Sequence, residues 1–140
     1  MSDVDNLVRL ISQVSRKVYE ALGPGHEEVV YQNALALEFR RRKLRYQIEK
    51  NVEVVYLGER VGVHRLDFVV EDQVIVELKA QPKITESHIS QAKAYLRNLG
   101  LGRAVIVNFP TQAVLGLQVE VLTQQVPPAP MQMARSWPSN

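Results

Sequence analysis

The 140-residue sequence contains no cysteine. That absence excludes disulfide bridges, zinc sites with thiolate ligands and enzymes with a cysteine nucleophile, and it fits a reducing compartment. A chain of this length is typical of one domain and can bury about two thirds of its unfolded surface. Folding therefore requires neither a disulfide nor a structural metal.

Long apolar runs are also missing. No stretch approaches the roughly 20 apolar residues that a membrane-spanning helix needs. The N-terminal segment MSDVDNLVRL is acidic and lacks the basic region and apolar core of a signal peptide. The sequence therefore predicts a cytoplasmic protein that makes no membrane contact.

A strong net charge is absent too, since the formal net charge is +2, but the positive charge is unevenly placed. The segment between Glu38 and Lys50 contains a cluster of basic residues: Arg40, Arg41, Arg42, Lys43, Arg45 and Lys50. Such a cluster is more often a solvated helix end than a binding surface, although it can also guide a nucleic-acid backbone. Both interpretations stay open from the sequence.

The spacing of apolar residues predicts an alternation of helices and strands. In chain order the predicted elements are helices at 3–22 and 26–43, strands near 52–56, 61–70 and 74–80, a helix from 85 to 99, a strand at 104–109 and a weaker strand at 117–122. The α-α-β-β-β-α-β order predicts an α/β (α+β) fold, with a mixed four- to five-stranded sheet flanked by helices. We assign residues 1–125 to this single domain.

The C-terminal segment 126–140, VPPAPMQMARSWPSN, is rich in proline. This composition predicts a disordered tail. Met131, Met133 and Trp137 are candidate anchors for a protein partner within it.

Charged residues interrupt the apolar hairpin RLDFVVEDQVIVELKA at 65–80. If the connection is the three residues 71–73, Asp67 lies directly opposite Glu77 with Cβ atoms roughly 5 Å apart. A two-residue turn would instead bury Asp67 on the apolar face without a partner, which is costly. Two such carboxylates beside Lys79 would accommodate a hard divalent cation such as Mg²⁺ or Mn²⁺. The alternative is an ordinary salt-bridged sheet edge.

Polar residues on two helices could face the same cleft. His88, Gln91 and Tyr95 are spaced by three and four residues and share one helix face. Glu28 and Tyr31, three residues apart, could approach from the second helix. The alternatives are a capping role for His88, core packing for Tyr31 and stabilisation of the helix dipole for Glu28.

The segment from Gly25 to Tyr31, GHEEVVY, resembles the G-x-x-E-x-x-Y signature of the GxxExxY family. The likeness extends over about residues 7–110, through YQNALALEF, the hairpin at 65–80, HISQAKAY and the NF of IVNF. That family is assigned to the PD-(D/E)XK nuclease-like superfamily. The resemblance therefore implies a restriction-endonuclease-like core and metal-dependent hydrolysis of nucleic acid, with DNA favoured over RNA.

The resemblance also implies roles for individual residues. The residues expected to hold Mg²⁺ or Mn²⁺ are Asp67, Glu77, the backbone carbonyl of Leu78 and Glu28. The residues expected to take part in catalysis are Asp67, Glu77, Lys79, Glu28 and Gln91. The residues expected to contact the substrate are Tyr95, His88, Arg65, Tyr31, Arg41 and Arg42.

The sequence departs from the family pattern in two places. Leu66 stands where the superfamily motif is named for proline. His26 and Glu27 occupy positions where apolar residues are expected. Glu27 is therefore an alternative to Glu28 as the helix glutamate that lies near the metal. Two other functions stay open: a nucleic-acid-binding domain of nuclease fold that does not cleave, and a protein-interaction module. A homodimer is a further possibility, because small nucleases that cut duplexes often pair.

Overall fold

The chain forms a five-stranded mixed sheet with helices on both faces. The computed structural model describes residues 2–126, so the predicted tail lies outside the described residues except for Val126. The elements are α1 (Asp3–Leu22), α2 (Glu28–Arg41), β1 (Tyr46–Tyr56), β2 (Glu59–Val70), β3 (Val74–Lys79), α3 (Glu86–Leu99), β4 (Arg103–Asn108) and β5 (Gln118–Thr123), with a short 3₁₀ turn at Ala113–Leu115. No helix in this part of the chain has the length and apolar character to cross a membrane.

The strands lie in the order in which they occur along the chain, β1-β2-β3-β4-β5. The β3 and β4 strands are parallel, and the other neighbouring pairs are antiparallel. Parallel neighbours need a long connection, and α3 supplies it. The mixed five-stranded sheet with flanking helices confirms the predicted fold class and the predicted order of elements.

The β2–β3 hairpin has the predicted register. Phe68 pairs with Val76, and Val70 pairs with Val74, so Glu71, Asp72 and Gln73 form the connection. The paired ladder ends at Phe68 and Val76, whereas β1 and β2 stay paired to Tyr56 and Glu59. A gap between β2 and β3 therefore opens at the next level, that of Asp67 and Glu77.

Both faces of the sheet are covered by apolar packing. The first core lies against α1 and α2 and takes Val74, Val76 and Leu78 from β3. The second core lies against α3 and takes Ile75 from β3. Side chains alternate along a strand, so Glu77 and Lys79 follow Ile75 on the α3 side, as the sequence predicts.

The α2 helix buries only one of its apolar faces. Val30 and Leu37 are exposed. The rings of Tyr31 and Phe39 are fully buried instead, stacked on Phe109 and against Phe68 respectively. The helix carries apolar residues on two faces, and aromatic packing against the sheet decides between them.

At the level of Glu49, the side chains of the β1–β2 hairpin switch from packing in one core to packing in the other. The pairs on either side of it, Ile48 with Phe68 and Lys50 with Leu66, keep one register, but Glu49 itself has a left-handed φ of 52°. Phe68 faces the first core, whereas Leu66, two residues earlier, faces the second. An unbroken strand would place both on one face, so the hairpin rotates at this level.

Candidate functional site

The site lies in the gap between β2 and β3 and is built around two crossed hydrogen bonds. The Asp67 N–H donates to Oε2 of Glu77 at 3.0 Å. The Leu78 N–H donates to Oδ2 of Asp67 at 2.8 Å. Where the β2–β3 ladder ends, each of these two N–H groups bonds a carboxylate of the opposite strand in place of a backbone carbonyl. The second oxygen of each carboxylate is left for another ligand.

The paired carboxylates are poorly hydrated. Glu77 is 4% exposed, and burial together with the charge of Asp67 raises the pKa of Glu77 to about 8. Burial also raises the pKa of Asp67, in spite of the Leu78 hydrogen bond and the nearby Lys79. Both shifts show a pair of anions that would be stabilised by taking up a proton or a cation.

Lys79 provides positive charge at the end of β3. Its ammonium electrostatically lowers the pKa values of both Asp67 and Glu77. Its Nζ donates to Oε1 of Gln91 at 3.4 Å, which ties the ammonium to the exposed side of α3. Lys79 and Gln91 are therefore brought together beside the carboxylate pair.

Tyr95 closes the α3 side of the site. It is 5% exposed, and its pKa is raised to about 12, first by burial and then by Glu77 and Asp67. The phenol therefore stays protonated near the two carboxylates. Its ring packs against His64, with ring centroids 4.6 Å apart.

His64 was not expected from the sequence. Its Nδ1 is the one buried side-chain nitrogen or oxygen atom in residues 2–126 without a hydrogen-bond partner. Burial lowers the pKa of His64, so the ring against Tyr95 is neutral.

Glu28 approaches the site from the start of α2. Burial raises the pKa of Glu28, the charge of Asp67 raises it further, and the charge of Lys79 lowers it. The Glu28 carboxylate therefore interacts electrostatically with both Asp67 and Lys79. Glu27 is exposed and makes no side-chain capping bond, although it occupies the N-cap position. The structure thus brings Glu28 towards the pair and leaves Glu27 outside.

The turn between α1 and α2 explains how Glu28 is presented. Gly25 has a φ of 100°, a conformation that favours glycine. The Tyr31 hydroxyl donates to the Gly23 carbonyl at 2.7 Å and accepts from the His26 N–H at 3.3 Å. Tyr31 thereby fastens the turn that leads into Glu28.

That role contradicts substrate contact by Tyr31. The residue is fully buried, and its ring stacks on Phe109 with centroids 4.1 Å apart. Its ring also contacts His26, and its hydroxyl makes two hydrogen bonds inside the protein. The structure therefore places Tyr31 behind the site, in the core-packing role that the sequence left as an alternative.

His88 caps α3 and lies near Lys79. The His88 N–H donates to the Thr85 hydroxyl at 3.2 Å, and the Thr85 N–H donates to His88 Nδ1 at 3.1 Å. Because Nδ1 accepts, the neutral ring carries its hydrogen on Nε2. Burial and Lys79 lower the pKa of His88, which keeps this donor neutral.

Arg65 lies on the β1 side of the site. It electrostatically lowers the pKa of Asp67 and forms an ion pair with Glu49. Glu49 also accepts a hydrogen bond from Nε2 of Gln32 at 3.2 Å. Sequence reasoning missed Glu49 and Gln32, although Gln32 shares a helix face with Glu28, four residues earlier.

Arg41 and Arg42 do not belong to this site. They lie at the C-terminal end of α2, and a helix of 14 residues is about 20 Å long, so Glu28 and these arginines are far apart. Arg42 is paired with Glu38, while Arg40 donates to the hydroxyl of Tyr46. Arg40 and Arg42 thus have local partners, and contact of Arg41 and Arg42 with a nucleic-acid backbone stays a prediction from the sequence, at a distance from the paired carboxylates.

The donor atoms fit a hard divalent cation of the magnesium type. Residues 2–126 contain no group of three His, Cys, Asp or Glu side chains placed to hold a metal. Mg²⁺, however, commonly uses one or two carboxylates and keeps several waters. Asp67 and Glu77 supply two carboxylates. The Leu78 N–H points into the gap, and the carbonyl of the same strand residue points to the same side.

Comparison with known proteins identifies relatives of the fold. A profile of the PD-(D/E)XK nuclease superfamily matches residues 5–120. The crystal structure of SSO0001 superimposes with a TM-score of 0.51 at 12% identity, over 76% of this chain and 54% of that chain. This chain therefore spans about half the length of that protein.

A second similar structure is the alkaline exonuclease LHK-Exo from Laribacter hongkongensis. It has a TM-score of 0.49 at 9% identity, over 96% of this chain and 76% of that chain. No curated protein matches the sequence.

Proposed function

The chain belongs to the PD-(D/E)XK nuclease superfamily, and we propose that it is a Mg²⁺- or Mn²⁺-dependent nuclease that hydrolyses phosphodiester bonds of DNA. The observation that carries the proposal is the crossed pair of Asp67 and Glu77 beside Lys79. A salt-bridged sheet edge would not bury one of its carboxylates almost completely next to another. A bound cation would offset the cost of burying the two carboxylates, because its charge stabilises their ionised forms.

Four groups are positioned to hold the ion. Asp67, Glu77 and the carbonyl of Leu78 would bind it directly, and Glu28 would bind it through water or hold a second ion. When bound, the ion supplies a water of lowered pKa and neutralises charge on the phosphate.

Lys79 and Gln91 act on the water and the phosphate. The Lys79 ammonium, held towards Gln91, donates to the oxygen on which negative charge develops. Since Oε1 of Gln91 faces Lys79, its NH₂ group is available to orient the attacking water or the phosphate. Tyr95, which stays protonated beside the carboxylates, would offer its hydroxyl hydrogen to the substrate or the attacking water.

His88 and Arg65 contact the phosphodiester backbone from opposite sides of the gap. His88 offers Nε2–H as a neutral donor, and Arg65 offers the guanidinium hydrogens that Glu49 does not use. Contacts of Arg65 with phosphates make binding sensitive to salt.

The finer assignment to the GxxExxY family is part of this proposal. It is supported by the turn geometry of its three named positions: Gly25 adopts a positive φ, Tyr31 fastens the turn, and Glu28 follows it towards the site. A cytoplasmic location, a homodimer and a partner for the tail stay predictions from the sequence.

The test is magnesium-dependent cleavage of single- and double-stranded DNA, with RNA as a third substrate. Asp67→Asn removes the charge but keeps an oxygen for the Leu78 N–H. Asp72→Asn makes the same change in the exposed β2–β3 turn and is the matched control. We expect the wild type and Asp72→Asn to cleave, and Asp67→Asn to be at least about 100-fold slower.

Two outcomes would reject the proposal. Equal rates for the wild type and Asp67→Asn would remove Asp67 from the reaction. A wild type that binds DNA but does not cleave with Mg²⁺ or Mn²⁺ would identify a non-cleaving nucleic-acid-binding domain instead.

A further inference from the structure

Glu49 is held in an unusual backbone conformation next to the site. Its φ of 52° is left-handed, and it lies inside β1, whereas the other described non-glycine residues with positive φ lie at turns or between elements: Lys43, Leu57, Glu71 and Asp72. A side chain in this region is strained, and such strain persists where surrounding contacts hold it. The flanking pairs of the β1–β2 ladder, Ile48 with Phe68 and Lys50 with Leu66, place Glu49 opposite Asp67.

The contacts that hold Glu49 come from two directions. The Gln32 amide donates to Oε2 of Glu49 at 3.2 Å, and Gln32 is only 8% exposed. The Arg65 guanidinium donates to the other oxygen, Oε1. The carboxylate therefore links a buried amide of α2 to an arginine on β2.

Arg65, the last residue in this series of contacts, lies beside the proposed catalytic groups. Arg65 lowers the pKa of Asp67 through its charge, while Glu49 raises it, so both lie within electrostatic reach of that carboxylate. The Arg65 side chain is 65% exposed, which leaves its remaining hydrogens open to a ligand. A guanidinium fixed on one side by a carboxylate can present its other donors to a phosphate.

We infer that Glu49 is a positioning residue of the proposed nuclease: anchored by Gln32, its carboxylate holds Arg65 beside Asp67 in the place where the guanidinium contacts a phosphate of the DNA strand. The inference rests on the proposed function. It assigns the strained conformation of Glu49 to substrate binding and not to the rotation of the hairpin alone.

Glycine at position 49 separates these two roles. Glu49→Gly can keep the positive φ and hence the rotation of the hairpin, but it removes the carboxylate. Leu57→Gly is the matched control, since Leu57 has nearly the same φ, 51°, at the exposed tip of the β1–β2 hairpin. Glu49→Gln keeps the length of the side chain but only one acceptor oxygen, so it can accept from only one of the two partners at its present position, and it serves as the conservative variant.

The experiment uses the full 140-residue chain. Binding of a fluorescent DNA oligonucleotide is measured against salt in Ca²⁺, and cleavage is measured in Mg²⁺. For Glu49→Gly we expect an unchanged melting temperature, Kd weakened by about 3- to 10-fold and a salt slope reduced by about one contact, as for Arg65→Ala. Glu49→Gln should lie between wild type and Glu49→Gly, and Leu57→Gly should match wild type.

The double variant Glu49→Gly/Arg65→Ala decides whether Glu49 acts through Arg65. It should bind no more weakly than Arg65→Ala alone. Three results would overturn the inference: additive losses in the double variant, wild-type binding by Glu49→Gly, or a loss of binding that follows a fall in melting temperature. If the wild type still cleaves DNA, the proposed function is unaffected by any of them. A wild type that neither binds nor cleaves DNA would reject both.

Discussion

The N–H of Asp67 donates to the Glu77 carboxylate, and the Asp67 carboxylate in turn accepts from Leu78, the residue after Glu77. The two acidic residues therefore complete the sheet where the β2–β3 ladder ends and at the same time form the proposed metal site. Substitutions that keep the hydrogen bond but remove the charge separate the two roles.

Asp67→Ala and Asp67→Asn should differ in stability and agree in activity. Alanine leaves the Leu78 N–H without its acceptor, which should lower the free energy of unfolding by about 1–3 kcal/mol. Asparagine keeps an oxygen there and should cost much less. Urea unfolding of the two variants measures the difference, and equal midpoints would contradict the structural role of this hydrogen bond.

The pH dependence of stability should report the burial of Glu77. Burial and Asp67 raise the pKa of Glu77 from its ordinary 4.5 to about 8. Between these values the folded protein holds a proton that the unfolded chain releases, so the free energy of unfolding should fall as pH rises through this window. Unfolding in chelator at both ends of the window tests this, and Glu77→Gln should show a smaller fall. A steeper fall in Glu77→Gln would contradict the sign.

Two substitutions at His88 separate capping from phosphate contact. His88→Ala removes the side chain that accepts from the Thr85 N–H and should lower the free energy of unfolding by about 1 kcal/mol. His88→Gln can restore the capping box. If His88 also contacts phosphate, both variants should raise KM for DNA, although only alanine lowers the melting temperature. An unchanged KM in both would limit His88 to capping.

Tyr31→Phe tests the corrected role of Tyr31. The variant keeps the stacking on Phe109 but loses the hydrogen bond to the Gly23 carbonyl, so the free energy of unfolding should fall by about 1 kcal/mol. KM for DNA should stay within about twofold of wild type, because the ring makes no substrate contact. A large rise in KM without loss of stability would restore the original interpretation.

The register of the site was predictable from the sequence for an energetic reason. Only a three-residue connection keeps Asp67 off the apolar face of a strand that contains Phe68 and Val70. The start of α3 was equally clear, because Thr85 is a good capping residue and Gly100 ends the helix in a left-handed conformation.

The β1 side of the site could not be predicted in the same way. Nothing in the residue type of Glu49 signals a left-handed conformation, since asparagine or glycine is the usual occupant of that region. The first strand was predicted near 52–56, which omitted the residues from Tyr46 to Asn51 and with them the position opposite Asp67. The buried face of α2 was similarly decided by aromatic partners distant in sequence, Phe68 and Phe109.

The short loop that joins the two acidic strands has a consequence for the order of folding. Asp67 and Glu77 are ten residues apart on one hairpin, so closing it carries a small chain-entropy cost and needs no distant contact. Glu28 and Gln91 arrive only when separate helices dock. We therefore expect the like-charged pair to meet before its distant partners, at a stage when repulsion opposes hairpin closure and a divalent ion in the refolding buffer would accelerate it.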